Sequence, residues 1–289
     1  MRDQIMNVVV RNAINTCYID SLIIALFYSP SIISKMLNND IESGTAIYLQ
    51  EYIKHNIINN LHKGISVNED TMHIFRYLCM ENGWLSNNQQ ERLRQQDVNE
   101  FYIFLVKLLK GHMLEIKKKT IEQEGERYGN KEIIPFIPLS IPENKTDVEV
   151  KDLLHNWLFN NEIINNNNKS VHSYYILNIP DMVGLSINRF NSKGNRIHTN
   201  VNVKMKITLY QQMDHNRRWI IHSIICHRGN TVRCGHYYTI FMHNEKWFLF
   251  DDNLDPSIKM VSNIDKIMDK KIIELIKREC VFLIYRYNG

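Results

Sequence analysis

Cysteine is scarce in this chain and poorly arranged for structural use. The five, Cys17, Cys79, Cys226, Cys234 and Cys280, are odd in number and scattered over 289 residues. That pattern argues against a disulfide framework and for a reducing, intracellular compartment, cytoplasmic or nuclear. No CxxC pair occurs, which excludes a zinc site built from cysteine pairs. Long apolar runs are missing too: there is neither an N-terminal h-region nor a stretch approaching membrane-spanning length, so secretion and a membrane partner are unsupported. Charge of one sign is nowhere concentrated. The formal net charge is +4, and the densest basic run, Lys117-Lys118-Lys119, sits among Glu115, Glu122, Glu124 and Glu126. This describes a solvated face rather than a phosphate-tracking stripe, so nucleic acid is not an expected partner. Histidine is better represented, but no HxxxH or HxH spacing appears, and neither metal nor cofactor is expected.

What is present suits one large domain or two small ones: 44% of residues are hydrophobic and 23% charged, enough to bury a sizeable core. The first part reads as helical. Apolar residues recur three or four apart over about 45–61 and 71–83, and Asp97 with Glu100 three residues later resembles a capping box ahead of the stripe Phe101, Phe104, Leu105 and Leu108. From about residue 133 the texture changes to short β-branched and aromatic runs, at 173–177, 183–187, 201–207, 219–226, 236–242, 247–250 and 280–287, with one helix at about 263–278. Residues 191–195 read as a turn and 243–246 as a hairpin loop. Helices first and a mainly antiparallel sheet afterwards predict an α+β fold with an N-terminal helical lobe and a C-terminal β lobe.

Cys17 lies directly before the apolar run 22–27, with Thr16 as a natural N-cap. A thiol in the first turn of a helix meets free backbone N–H groups and the positive end of the helix dipole, which favour thiolate. Taken alone, a buried structural cysteine explains it as well. The second half supplies a partner. His236 follows Gly235 at the start of a strand, and the hairpin through residues 243–246 returns by Trp247-Phe248-Leu249-Phe250 to Asp251 and Asp252. The hairpin brings a carboxylate beside an imidazole, the pair needed to take a thiol proton and to steady the imidazolium. Asn12, just upstream, is either a turn residue or a side-chain donor joining the Cys17 N–H in an oxyanion hole. His227 is better placed as a turn residue than as the base.

These residues carry a family resemblance. Asn12-x-x-Asn15-Thr16-Cys17-Tyr18-x-x-Ser21-Leu22, Gln96-Asp97-x-x-Glu100-Phe101, Ile179-Pro180-x-x-Val183-x-x-x-Ile187-x-Arg189-Phe190, His227-x-Gly229 with Gly235-His236-Tyr237, Trp247-x-x-Phe250-Asp251-Asp252 and the ending Cys280–Tyr285 run in the order of the ubiquitin-specific proteases. The chain resembles that family of papain-like cysteine deubiquitinases. The resemblance implies one catalytic domain over 1–289, with a helical lobe at about 1–118, a short finger-like region at about 119–174 and a β lobe at about 175–289. It further implies Cys17 as nucleophile, His236 as general base, Asp251 as orienting carboxylate, Asn12 as oxyanion donor and Asp252 as a second acid. Gln96, Glu100 and Tyr237 would line a channel for the tail of ubiquitin or a ubiquitin-like modifier, the expected partner. For Gln96 and Glu100, plain helix-start capping explains the residues equally well.

The chain also departs from the family. Ile14 stands where glycine is usual, Asp20 where asparagine is, and Ile24 where glutamine is. A β-branched residue does not adopt positive φ cheaply, so if the family loop needs it, the loop here is expected to run differently. Asp20, one turn beyond the nucleophile, would oppose a thiolate. The finger region lacks the zinc-binding cysteine pairs of many relatives; it is either held by packing of Trp157, Leu158, Phe159 and Ile163 or trimmed. Besides a deubiquitinase, an inactive ubiquitin-binding scaffold and a papain-like endopeptidase with other substrates remain open on the sequence.

Overall fold

The computed structural model describes residues 8–85, 93–122, 125–165, 168–209, 217–231, 234–262 and 268–288. The helical part comprises α1 (Cys17–Ile23), α2 (Gly44–Tyr52), α3 (Asn59–His62), α4 (Glu69–Glu81) and α5 (Val98–Leu108). A π-helical turn, Ile24–Tyr28, prolongs α1, and another, Ile53–Ile58, joins α2 to α3. The helix expected at about 45–61 is therefore one continuous helical path with a widened middle. Every residue of α1 is buried. Such a helix has no solvent face, and its position between α5 and the β part follows from that.

The strands are β1 (Leu114–Glu122), β2 (Gly125–Ile134), β3 (Phe136–Ser140), β4 (Asp147–Glu149), β5 (Asn161–Asn165), β6 (Asn168–Ile176), β7 (Met182–Asn188), β8 (Asn200–Asn202), β9 (Lys206–Leu209), β10 (Arg217–Thr231), β11 (Cys234–His243), β12 (Lys246–Phe250), β13 (Ile258–Met260) and β14 (Cys280–Tyr287). Two helices sit among them, α6 (Val150–Phe159) and α7 (Lys270–Glu279). The main sheet runs β13-β12-β11-β10-β14-β7-β3, with β9 on β10, and is antiparallel except for β3 against β7. The expected run 201–207 resolves into two short strands, β8 and β9. The expected helix at about 263–278 begins at Lys270; residues 263–267 lie outside the described part.

The central strands are buried on both faces, which explains why they read as continuous apolar runs rather than alternating ones. Successive side chains point to opposite faces. Ile225, Tyr237, Phe241, Phe282 and Ile284 join the helical core, while Ile224, Tyr238, Ile240, Leu283 and Tyr285 join a second core under α6 and α7. At Gly184 on β7 a Cβ would stand 2.8 Å from the Phe282 ring, so that crossing tolerates no side chain. Arg189 is buried beneath the β14 end and donates to the carbonyls of Cys280 at 2.7 Å, Thr199 at 2.8 Å and Lys277 at 2.6 Å. One guanidinium thus closes β7, β14, the end of α7 and the loop before β8 together.

Between the two parts stands a separate four-stranded sheet, β2-β1-β6-β5. The finger is present in this chain rather than trimmed away. Its root is fixed by α6, a helix that the strand-like texture of the region concealed: Trp157 stacks on Tyr174 with centroids 4.3 Å apart and planes 7° apart, and Leu158 is fully buried. Phe159, expected in that packing, is 37% exposed and lies against His155 instead. The side chain of Ile163 is outside the described part. Asn165 pairs with Asn168 at the β5–β6 turn, and residues 166–167 are likewise undescribed.

Replacing Arg189 by Met would leave three carbonyl acceptors without a donor; we expect urea unfolding to show a loss of about 3 kcal/mol or more, against under about 0.5 kcal/mol for exposed Lys193→Met.

Candidate active site

Cys17 opens α1 and is 3% exposed. Thr16 holds the N-cap position, yet its backbone is already helical and its side chain makes no cap bond, contrary to expectation. Its Oγ1 accepts from the Ala13 N–H at 2.9 Å and donates to Asp20 Oδ2 at 2.9 Å. The hydroxyl is spent on the loop and on the helix interior instead.

The expectation for Ile14 is overturned in an informative way. Ile14 and Asn15 both sit at positive φ, 53° and 59°. Two consecutive left-handed residues, one of them β-branched, are costly, of order 1–3 kcal/mol each, and persist only under external restraint. Two restraints are visible. The Arg76 guanidinium, buried on α4, donates to the Ile14 carbonyl, and Asn15 Nδ2 donates to the Leu93 carbonyl at 2.9 Å. The Ile14 side chain itself points to solvent, so the strain lies in the backbone alone. Nothing in the sequence marked Arg76; an arginine among apolar helix positions was the available signal.

On the opposite wall, β10 and β11 form a ladder with a register shift between Arg228 and Thr231, and His236 pairs with Arg228 just inside it. Gly229 and Gly235 face each other across this shift. A Cβ on Gly235 would overlap the Arg228 carbonyl and stand 2.5 Å from Nε2 of His227. His227 is buried, neutral and structural: burial draws its imidazole down to about 4, and its Nε2 lies 3.1 Å from Gln95 Nε2. Gln95 is thus a neighbour of the His-x-Gly turn.

The β11–β12 hairpin turns on Asn244 and Glu245, both at positive φ, a two-residue loop within the expected 243–246. Its ladder ends at Thr239 and Phe250, and the chain then turns, with the Leu254 N–H bonded to the Asp251 carbonyl at 3.0 Å. That turn, rather than ladder pairing, delivers the carboxylates. His236 Nε2 is 2.7 Å from Asp251 Oδ1 and 3.5 Å from Asp252 Oδ1. Burial opposes ionisation of Asp251, but the imidazole's hydrogen bond and charge prevail and hold the carboxyl below its usual range. The Asp251 carboxylate can only accept, so Nε2 is the nitrogen that donates to it, and Asn253 Nδ2 lies 3.1 Å from Nδ1.

Asn12 is tied down from both ends. Its Nδ2 donates to Asp252 Oδ2 at 2.6 Å, and its Oδ1 accepts from the Thr16 N–H at 3.3 Å. Tyr237 is buried beside His236 on β11, and its backbone N–H favours ionisation of the Cys17 thiol. Gln96 is buried just ahead of α5, whereas Glu100 is exposed in its first turn. The predicted capping box is only half present: Asp97 Oδ1 accepts from the Asn99 N–H at 2.7 Å, not from that of Glu100.

The thiol corrects the expectation of a ready thiolate. Burial pushes Cys17 up to about 12; the Tyr237 N–H pulls the other way, while the carboxyl groups of Asp252 and Asp20 add to the rise. Seven residues make α1 a short dipole, and dehydration outweighs it. In the resting site Cys17 is a neutral thiol that ionises only by passing its proton on. One ligating atom each from His236, Asp251 and Asp252 lies within 4.8 Å of the others, and His236 Nε2 is bonded to Asp251.

A family model described as ubiquitin carboxyl-terminal hydrolase matches residues 9–284. The chain belongs to that family. Among curated proteins none matches it by sequence. Two solved structures share its fold across 100% of its length, each at TM-score 0.70. One is a SAGA DUB module of Ubp8, Sgf11, Sus1 and Sgf73 bound to monoubiquitin, 16% identical and covered over 70% of that chain. The other is the same module bound to ubiquitin aldehyde, 15% identical and covered over 72%. No helix among the described residues is long and apolar enough to cross a membrane.

Because Cys17 is buried and neutral at rest while Cys234 is exposed, iodoacetamide at neutral pH should alkylate Cys234 faster, as read by peptide mass spectrometry. His236→Ala should slow Cys17 further and leave Cys234 unchanged.

Proposed function

We propose that this chain is a thiol-dependent deubiquitinase that cleaves the isopeptide or peptide bond after the C-terminal Gly-Gly of ubiquitin or a ubiquitin-like modifier, and that residues 1–289 act as one catalytic domain. The observation that carries the reading is the Asp251–His236 pair at 2.7 Å in a member of this hydrolase family whose buried Cys17 opens a helix. The relatives' solved modules hold ubiquitin, which favours ubiquitin itself as the modifier.

In the proposed reaction His236 Nδ1 takes the Cys17 proton as the sulfur attacks the glycine carbonyl carbon. The oxyanion is received by the Cys17 N–H and the second Nδ2 hydrogen of Asn12. Collapse breaks the C–N bond, and the imidazolium returns its proton to the departing lysine amine. Water, deprotonated by His236, then attacks the thioester, releasing the modifier carboxylate and the thiol. Asp251 fixes the imidazole tautomer throughout and stabilises its cation. Asp252 aims Asn12 and supports the imidazolium from a second side. Buried Gln96 and Tyr237 form the wall of the tail channel, with Glu100 at its mouth; bare glycine backbones suit a channel walled this closely. The free thiols fit a reducing compartment, the cytoplasm or nucleus.

An electrophile carried on the ubiquitin C-terminus should label Cys17 and fail with Cys17→Ala, as read by intact mass. No labelling of folded wild type would overturn the reading. Asn12→Ala should lower kcat about 100-fold, the effect of one oxyanion donor, with KM little changed.

A further inference from the structure

Asp20 is the one ionisable side chain of α1 besides the nucleophile and Tyr18, and it is fully enclosed. Its Oδ2 accepts from the Thr16 hydroxyl at 2.9 Å. Its Oδ1, buried, receives no N–H or O–H donor. Across the seam Asp252 shows the same pattern: Oδ2 accepts from Asn12 at 2.6 Å, and buried Oδ1 has no hydrogen-bond donor, with the His236 nitrogen only at 3.5 Å. Asn12, which donates to Asp252, also accepts from the Thr16 N–H at 3.3 Å, and the Thr16 hydroxyl donates to Asp20, so the two carboxyl groups with their unsatisfied oxygens share one buried pocket and act on each other's ionisation. Two acceptor-only groups cannot satisfy each other there. A buried carboxylate pair resolves it by keeping one proton, so that one acid donates to the other.

We propose that Asp20 is a positioning residue which, as a neutral acid, donates its proton in a hydrogen bond to Asp252 and so holds that carboxylate against Asn12. The hydrogen bonds then run without interruption from the Ala13 N–H through Thr16 and Asp20 to Asp252, and meet there the one from Asn12. The chain links the oxyanion loop, the nucleophile's helix and the turn after β12. The charges that face Asp20 agree with this assignment. Arg76 on α4 attracts a carboxylate but directs its hydrogen bond to the Ile14 carbonyl, and its Nε and Nη1 have no partner. Cys17 and Tyr18 on the same turn are neutral. Asp252, with His236 and Asp251 beyond it, places negative charge directly opposite. Burial and that charge together raise Asp20 well above the ordinary carboxylate range.

The positioning role rests on the hydrolase reading, but the shared proton does not, and the two are measured separately. Asp20→Asn keeps the shape and donates permanently; Asp20→Leu removes the donor. In urea unfolding, wild type holds a proton that the unfolded chain has released, so its stability should fall as pH rises from the ordinary carboxylate range toward the raised native value. D20N should lack this slope, its advantage over wild type widening with pH. A constant difference between the two would overturn the proposal. In kcat/KM for a ubiquitin C-terminal amide, wild type should lose about tenfold per pH unit once the pair ionises, a limb absent from D20N, and D20N should exceed D20L by about tenfold or more at neutral pH. Matching alkaline limbs would likewise overturn it. A widening stability gap with no turnover by either protein would refute the hydrolase and leave the pair standing.

Discussion

The Asp252 carboxylate is the point on which the pieces of this site converge. It lies beyond the end of β12, receives Asn12 from the loop before α1, acts on the ionisation of Asp20 within α1 and stands within ion-pair reach of His236 on β11. Asn12 and Asp20 come from one end of the chain, His236 and Asp252 from the other. A carboxylate with no exposed side-chain surface must be satisfied by such partners or it would not remain charged, and that requirement binds the helical part to the sheet at the place where chemistry is needed. Asp251, one residue earlier, lies 2.7 Å from the imidazole.

Burial sets the resting state of the site. Dehydration makes the thiolate unfavourable, and the flanking acids increase the penalty, so the nucleophile is stored as a thiol. In the proposed reaction, charge separation depends on what arrives: a carbonyl carbon for the sulfur, an oxyanion for Asn12, and an imidazolium facing Asp251. A site arranged in this way resists adventitious alkylation and oxidation, which require thiolate. The left-handed pair Ile14–Asn15 has the same logic in the backbone. Its strain is maintained by Arg76 and by the Leu93 carbonyl, so the geometry of the loop is set from outside the loop.

The finger shows how a sheet remote from the core can be anchored by packing. Leu114, Ile116 and Ile176 carry the apolar core out along β1 and β6, and the stacked Trp157 and Tyr174 cover its flank. Further out, β2 is exposed along nearly its whole length, and Lys117 and Lys119 of β1 lie over the Tyr128 ring. The apolar packing of this sheet is therefore concentrated at its root.

The sequence by itself determined the elements and the chemistry. Periodicity located the α4 and α5 helices, and continuous β-branched and aromatic runs located the strands β7, β11, β12 and β14, to within a few residues. The hairpin made the nearness of His236 and Asp251 legible, but their contact depends on the turn after Phe250, beyond the end of the ladder. Tertiary structure decided what depends on distant neighbours. Helix α6 was concealed because its apolar stripe also suits strands, and only the finger's root selects between them. Thr16 was misassigned because its hydroxyl answers to Ala13 and Asp20 rather than to the helix end. Ile14 takes a conformation that its own side chain disfavours because Arg76 holds its carbonyl. The state of the thiol was unreadable for the same reason: the helix start was written in sequence, but the dehydration that overrides it exists only once both layers have closed over Cys17.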